Sequence, residues 1–353
     1  MKPQTVVAIA LKNLEQSWYK LTRQRHKIIP YKVVVELTTQ CNSRCITCDI
    51  WKIKKEYQQK IDLNQFENFL RKMDKHLLWL ALTGGEVSSY NQFPKVVSLI
   101  KKYCPNLRIL TFTTNGLLPQ RILDFALLMK REINCDVFIT ISLDGDEATH
   151  DKLRGVPGNF KKCMEAYELL KQHSIPSHFG ITVSESNHSF ITKSYKKFNH
   201  LIKAVTLYHT GGIFLTEQKS DYNETDKKNI ESLTAIYQNY QPQNMGEWLV
   251  KMYLKLGILF LRKGRKTNIV TCDVGLSTAH LMANGDLQPC MYLPPITRLS
   301  DNFDLTCYHS KSTEAILEDI RQNKCPHCWM SCYGPHNMLQ APIQTFKLLI
   351  KPL

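Results

Sequence analysis

The sequence predicts an α/β fold in which six strand–helix units share one parallel sheet and a small cysteine-bearing extension follows. Three observations carry that expectation. Short apolar, β-branched runs alternate with longer amphipathic runs through the first part of the chain, and such alternation builds a parallel sheet with right-handed crossovers. Four of the apolar runs end in a polar motif containing Gly or Cys, the end of the strand at which α/β proteins bind ligands. Finally, Asn284-Gly285-Asp286 lies between two β-like runs and marks a hairpin outside the alternation.

The elements follow in order. Strands are expected at 32–38, 78–83, 108–113, 137–143, 178–184 and about 204–215, and helices at 63–75, 91–103, 119–131, 159–173 and 190–202. Asp62 is placed to cap the first of these helices, with Glu67 in its early turns. The sixth strand has two candidate segments, 204–208 and 213–215, separated by Thr210-Gly211-Gly212; the sequence leaves open which closes the sheet. Residues 219–224 are polar, and the chain is then helical to about Lys263.

Composition narrows the class. With 353 residues, 43% hydrophobic and 22% charged, wholesale disorder is excluded. The first 30 residues have no apolar signal core, and the most apolar later stretch, 248–261, carries Lys251 and Lys255 and falls short of the about 20 apolar residues of a membrane span. A cytoplasmic protein is expected, in which thiols stay reduced and cysteines at motif spacing read as metal ligands or catalytic groups. The net charge of +15 points to an anionic substrate, partner or electron donor. Basic residues are spread along the chain with no RNA-binding motif, so nucleic acid is not the expected partner.

Of the twelve cysteines, Cys104, Cys135 and Cys163 are isolated in periodic apolar segments and read as small buried hydrophobes. Cys307, in an acidic loop, reads as structural. Cys41, Cys45 and Cys48 crowd into one loop directly after the first strand. Three close thiolates suit an iron–sulfur cluster with one iron left unligated, whereas zinc would want a fourth Cys or His nearby, and nothing marks His76 for that role.

This Cys-x3-Cys-x2-Cys loop resembles that of the radical S-adenosylmethionine (SAM) enzymes. The resemblance implies that Cys41, Cys45 and Cys48 hold a 4Fe–4S cluster whose open iron chelates SAM. It also implies reductive cleavage to a 5′-deoxyadenosyl radical that abstracts hydrogen from substrate. Thr47 departs from the aromatic residue usual before the third cysteine, which puts adenine packing in question. Further motifs follow in the family's order: Gly84-Gly85-Glu86, then Thr114-Asn115, then Ser142-Leu143-Asp144-Gly145, and Arg154-Gly155. By resemblance Gly84, Gly85, Glu86, Thr114, Asn115, Ser142 and Arg154 bind SAM. Paired glycines would let a ligand approach the main chain. The fold implied is a partial (β/α)6 TIM-like barrel with a small C-terminal β-hairpin/helix cluster-binding extension. Asp144, His150 and Asp151 read as solvated loop residues.

A second thiol group comprises Cys272, Cys290, Cys325, Cys328 and Cys332. The hairpin turn at Gly285 would bring Cys272 and Cys290 together, and Cys325-x2-Cys328 is a tight ligand loop. Taken alone, this group fits zinc as well as iron. Beside the first group it resembles the SPASM or shorter twitch extension of radical SAM enzymes. Too few cysteines are present for two full clusters, which implies one auxiliary 4Fe–4S cluster held by Cys272, Cys290, Cys325 and Cys328, with Cys332 as substitute or spare.

The expected organisation is a basic N-terminal helical segment (1–30), the core barrel (31–218), a helical connection (219–270), the auxiliary cluster domain (271–335) and a C-terminal tail (336–353). The N-terminal segment is expected to cap the barrel end, and residues 344–353 to dock on the barrel rather than touch a membrane. The function implied is hydrogen abstraction from a small molecule (a sugar, cyclitol or nucleotide) or a peptide, in an oxidation or a cross-linking and maturation step, with a reductant such as flavodoxin or ferredoxin. The competing class is a non-catalytic structural zinc protein that binds nucleic acid, in which the ordered motifs between the thiol groups would have no role.

Overall fold

The computed structural model describes residues 1–208, 222–265, 268–325 and 327–353. Its strands are β1 (Lys32–Glu36), β2 (Trp79–Thr83), β3 (Ile109–Thr114), β4 (Asp136–Ser142), β5 (Ser177–Val183), β6 (Ile202–Leu207), β7 (Thr278–Leu281), β8 (Asp286–Gln288) and β9 (Thr297–Arg298). The helices are α1 (Pro3–Leu21), α2 (Leu63–Met73), α3 (Phe93–Tyr103), α4 (Pro119–Glu132), α5 (Glu147–Arg154), α6 (Asn159–Gln172), α7 (His188–Ser194), α8 (Tyr222–Asn239), α9 (Met245–Arg262), α10 (Lys311–Arg321), α11 (Gly334–Gln340) and α12 (Pro342–Leu349). They surround one nine-stranded sheet in the order β6-β5-β4-β3-β2-β1-β7-β8-β9.

β1 to β6 are parallel neighbours in sequence order, as the strand–helix alternation predicts. The C-terminal hairpin is fused to this sheet: β7 pairs parallel with β1, Val34 opposite His280, and β8 and β9 return antiparallel. The turn between β7 and β8 has Gly285 at φ +87°, a conformation that favours glycine.

Three expectations are corrected. The sixth strand is Ile202–Leu207; its alternative at 213–215 lies outside the described residues. The helix expected at 190–202 stops at Ser194, because 195–197 tighten into a 3-10 turn and Ile202 is already sheet. The segment around His150 and Asp151 is no solvated loop. It is α5, capped by Asp146 accepting from Thr149 N and ended by Gly155 at φ +64°, the left-handed C-terminal stop that glycine supplies.

Exposure alternates along the parallel strands. Leu80, Leu82, Leu110, Phe112, Ile139, Ile141, Phe179, Ile181 and Val183 are sealed in the main core. Their neighbours Ala81, Thr83, Thr111, Thr113, Thr140, Ser142, His178, Gly180 and Thr182 are at least partly exposed. With a side-chain period of two, the outer face packs on helices and the inner face is a hydroxyl-rich lumen.

One end of that lumen is closed. Ile9 of α1 packs with Tyr31 and Ile109 at the N-terminal ends of the strands, and Lys2 N donates to Asp136 Oδ2 at 2.9 Å. Beside them Lys32 Nζ lies 4.3 Å from the Trp79 ring centre, donates to Cys332 O at 2.8 Å and is 3.0 Å from His336 Nε2. Burial lowers Lys32 to about 8.

Candidate functional site: two thiol groups flanking a polar lumen

The first thiol group hangs from the C-terminal end of β1. Cys41, Cys45 and Cys48 are free thiols, and burial raises Cys41 to about 11 and Cys48 to about 12. Metal binding therefore has to release protons here. Donors surround the sulfurs: Ser43 N lies 3.5 Å from Cys41 Sγ, Ser43 Oγ 3.3 Å from Cys45 Sγ, and Arg154 Nη1 3.6 Å from Cys45 Sγ. N–H groups and a guanidinium aimed at sulfur suit thiolates, and such donors tune a cluster's potential.

Arg154 is the hinge of this arrangement. Its main-chain O accepts from Arg44 N at 2.9 Å and Ser43 Oγ at 3.1 Å, so the last turn of α5 is docked on the cysteine loop. A Cβ on Gly155 would lie 2.5 Å from Arg44 O, which is why glycine follows. Arg154 Nη2 pairs with Asp144 Oδ2 at 2.7 Å, with side-chain exposures of 12% and 4%. Burial opposes the guanidinium charge, but Asp144 and the Cys45 sulfur more than offset it. Asp144 is tied down in turn: Oδ1 accepts from Thr182 N and the main-chain N donates to His150 Nδ1. Burial and then Arg154 lower His150 to about 4, so His150 is neutral near pH 7. The solvated-loop expectation fails for all three residues, since Asp151 also accepts from Gly158 N and Phe160 N. Cys163 does more than fill space: its thiol donates to Asn115 O at 3.3 Å, under the same loops.

The glycine and glutamate motif is built inward. Gly85 N donates to Thr38 O at 2.6 Å and Glu86 N to Gln40 O at 2.8 Å. A Cβ on Gly84 would meet Thr38 O at 2.4 Å, and one on Gly85 would meet Gln40 O at 2.1 Å. The close approach these glycines permit is thus to the chain leading into the cysteine loop. The Glu86 carboxylate accepts from Ser88 N, Ser88 Oγ, Thr114 Oγ1 and Asn115 N, stitching β2 to β3. Asn115 Nδ2 donates to Asn42 Oδ1 at 2.7 Å and lies 4.0 Å from Cys41 Sγ. Ser142, at the end of β4, is partly exposed on the lumen face.

Cys272, Cys290, Cys325 and Cys328 line one cavity with Asn268, His327 and Tyr333. Asn268 Nδ2 and Asn337 Nδ2 each lie 3.5 Å from a sulfur, of Cys325 and Cys272 respectively. Burial raises Cys272 to about 12 and Cys290 to about 11. Cys332 does not line this cavity; it packs on the same apolar cluster as Cys272 and Cys328, and its carbonyl accepts from Lys32. The loop that carries Cys325 to Cys332 borders the lumen: Ser331 Oγ is 2.7 Å from Thr206 Oγ1 on β6, and Tyr333 OH is 3.2 Å from His280 Nδ1 on β7. Among the described residues no three His, Cys, Asp or Glu side chains are close enough to share a single metal ion.

Glu36 escaped the sequence reading. Val33 and Val35 belong to the main core, so strand alternation turns Lys32, Val34 and Glu36 to the lumen. Glu36 is 7% exposed, and Oε2 accepts from Ala283 N at 3.2 Å. Burial raises it to about 6, only partly offset by the Ala283 amide. Its parity with Lys32 was visible in the sequence, but only the sheet shows that this parity faces the lumen.

Comparison with known proteins bears on the fold. Residues 35–188 match the model of the radical SAM superfamily. The sporulation killing factor maturation protein SkfB of Bacillus subtilis is 30% identical over 160 residues, 45% of this chain and 37% of that protein. The AdoMet-dependent heme synthase of Methanosarcina barkeri is 25% identical over 284 residues, 75% of this chain and 78% of that protein. The chain therefore spans little more than a third of the first relative's length and about four fifths of the second's. Among solved structures, native anSMEcpe with bound AdoMet superposes with a TM-score of 0.63 at 16% identity, covering 90% of this chain and 97% of that one. Streptococcus suis SuiB bound to precursor peptide SuiA gives 0.58 at 17%, covering 87% and 71%. At such identities the likeness is one of fold.

Proposed function

We propose that this chain is a radical SAM enzyme and that it abstracts hydrogen from a peptide or small-molecule substrate held in the lumen between its two thiol groups. The observation that carries the reading is the placement of three donor-ringed thiols at the C-terminal end of β1, beside a hydroxyl-lined lumen whose far end is plugged.

In this reading Cys41, Cys45 and Cys48 hold a 4Fe–4S cluster, and Cys272, Cys290, Cys325 and Cys328 hold an auxiliary one. The chemistry supplied when both are bound is reductive cleavage of SAM to a hydrogen-abstracting 5′-deoxyadenosyl radical, plus an acceptor for the electron left on substrate. The chain's own residues do the rest. Arg154 keeps its charge beside Cys45, and Asp144 holds the guanidinium in place. Glu86 and Thr114 fix the ends of β2 and β3, and so orient Asn115 and the backbone around SAM. Thr83, Thr113, Thr140 and Ser142 offer hydroxyls to a polar substrate. Glu36, poised near neutral pH, takes the substrate proton at a carboxylate oxygen when the net change is an oxidation. Similarity to a killing factor maturation protein and a heme synthase, and to the fold of a protein solved with its precursor peptide, leaves both substrate classes in play, and the net charge of +15 favours an anionic one.

Anaerobic reconstitution with iron and sulfide tests this. About eight irons per chain, and 5′-deoxyadenosine formed on adding SAM and reductant, are the expected results. A colourless zinc-loaded protein with no SAM cleavage would favour the structural zinc reading.

A further inference from the structure

We propose that the α1 end of the barrel, opposite the Cys41–Cys48 loop, is a docking face for an anionic lipid bilayer. The observation is a second, unpartnered face on α1. Its inner face, Thr5, Ile9, Asn13 and Gln16, is buried against the barrel end. On the opposite side Val7, Leu11, Leu14, Trp18 and Leu21 are 56%, 61%, 66%, 62% and 80% exposed. Their steps of four, three, four and three residues make one continuous apolar stripe along the helix.

A second helix adds to it. Gln340, the last residue of α11, donates to Asn13 Oδ1 at 2.6 Å and to Gln16 Oε1 at 3.0 Å, and accepts from Lys20 Nζ at 2.7 Å. These bonds hold the start of α12 against the flank of α1. α12 buries Thr345 and Leu348 but leaves Ile343, Phe346 and Ile350 at 73%, 65% and 67% exposure. The C-terminal tail therefore docks by one face only and presents the other outward.

Charge selects the occupant. Arg23, Arg25 and Lys27, which follow the stripe, are exposed, as are Lys347 and Lys351 around the α12 face. A shallow depression beside Leu11 is rimmed by Lys12, Lys75 and Arg108, with Glu15 its one carboxylate. Exposed Trp, Phe and Leu bordered by Lys and Arg is the composition with which a helix lies in a bilayer interface and meets anionic headgroups. No helix among the described residues is long and apolar enough to cross a membrane, so the contact is peripheral. The Cys41–Cys48 loop, at the other end of the strands, would face away from the lipid, whereas Cys272 lies on the α1 side, where Lys20 pairs with its neighbour Asp273 at 2.7 Å.

The test uses the full chain and two kinds of vesicle, phosphatidylcholine alone and phosphatidylcholine with phosphatidylglycerol. Sedimentation with the anionic vesicles, weakened by salt, is expected. Leu14→Glu and Trp18→Glu should each weaken it at least about tenfold, the loss of one large buried apolar side chain. Both positions are solvent-facing, so circular dichroism should be unchanged. The proposal is overturned if wild-type protein stays in solution or if the two variants bind as it does. It is also overturned if sedimentation equilibrium finds a lipid-free dimer that Leu14→Glu converts to monomer, since the stripe would then serve a second copy of the chain.

Discussion

The two thiol groups meet the same physical problem, several sulfurs withdrawn from water, in different ways. Cys41, Cys45 and Cys48 come from one short loop and are served by a buried cation, Arg154, whose counter-charge Asp144 lies just after β4. Cys272, Cys290, Cys325 and Cys328 come from three separated segments and are served by neutral amides, Asn268 and Asn337, amid Val274, Leu317, Ile320 and Tyr333. A local loop can be completed by charge because the barrel supplies a rigid ion pair beside it. The dispersed group depends on tertiary packing to bring its members together.

The sharpest way to break the comparison is to delete each group in turn. Replacing Cys41, Cys45 and Cys48 by Ala should abolish SAM cleavage and lower iron from about eight to about four per chain. Replacing Cys272 and Cys290 should lower iron by a similar amount while SAM cleavage persists and substrate turnover fails. Iron analysis beside 5′-deoxyadenosine yield distinguishes the two. Equal loss of SAM cleavage in both variants would mean that the groups do not act separately.

A smaller effect tests the ion pair that only the first group has. Asp144→Asn leaves Arg154 charged in a buried site, and breaking such a pair costs about 3–5 kcal/mol. Asp144→Asn combined with Arg154→Met should cost less than the two single changes together, because neither charge is then stranded. Denaturant midpoints of the four proteins in the cycle measure this, and strict additivity would show that the pair does not hold the loop.

The same contrast explains what the sequence could reveal. Strand positions and the thiol sets are carried by spacing along the chain, and spacing survives in sequence. The order β1 to β6 follows from chain order and the crossover rule. Helix α5 was hidden because its apolar content is low: only Leu153 and His150 are buried in it. Its fixing contacts are polar and join residues 109 positions apart, as between Arg154 and Cys45. The pairing of β7 with β1 was hidden for a similar reason, since 4 residues of strand carry no record of a partner some 245 positions earlier. Glu36 was hidden because a single carboxylate in a Val-rich run has no periodic signature, and only the sheet defines which face it occupies.

Glu36 also allows the smallest of these effects to be read with a definite sign. Its rise from the ordinary 4.5 to about 6 means that the folded protein holds the proton more tightly than the unfolded chain. That preference is worth about 2 kcal/mol. The contribution is fully present below pH 4.5 and is lost as pH rises through 6, so at pH 8 the wild type carries a buried carboxylate at that cost. Glu36→Gln keeps an acceptor for Ala283 N and removes the charge. The variant should therefore unfold at a higher temperature than wild type at pH 8, by an amount that closes as the pH is lowered towards 4.5. Turnover of substrate should fall while SAM cleavage without substrate is kept, because the thiol loop is untouched. A difference in melting temperature that did not change with pH would place the Glu36 carboxylate in water rather than in the lumen wall, and would remove it from the proton-accepting role.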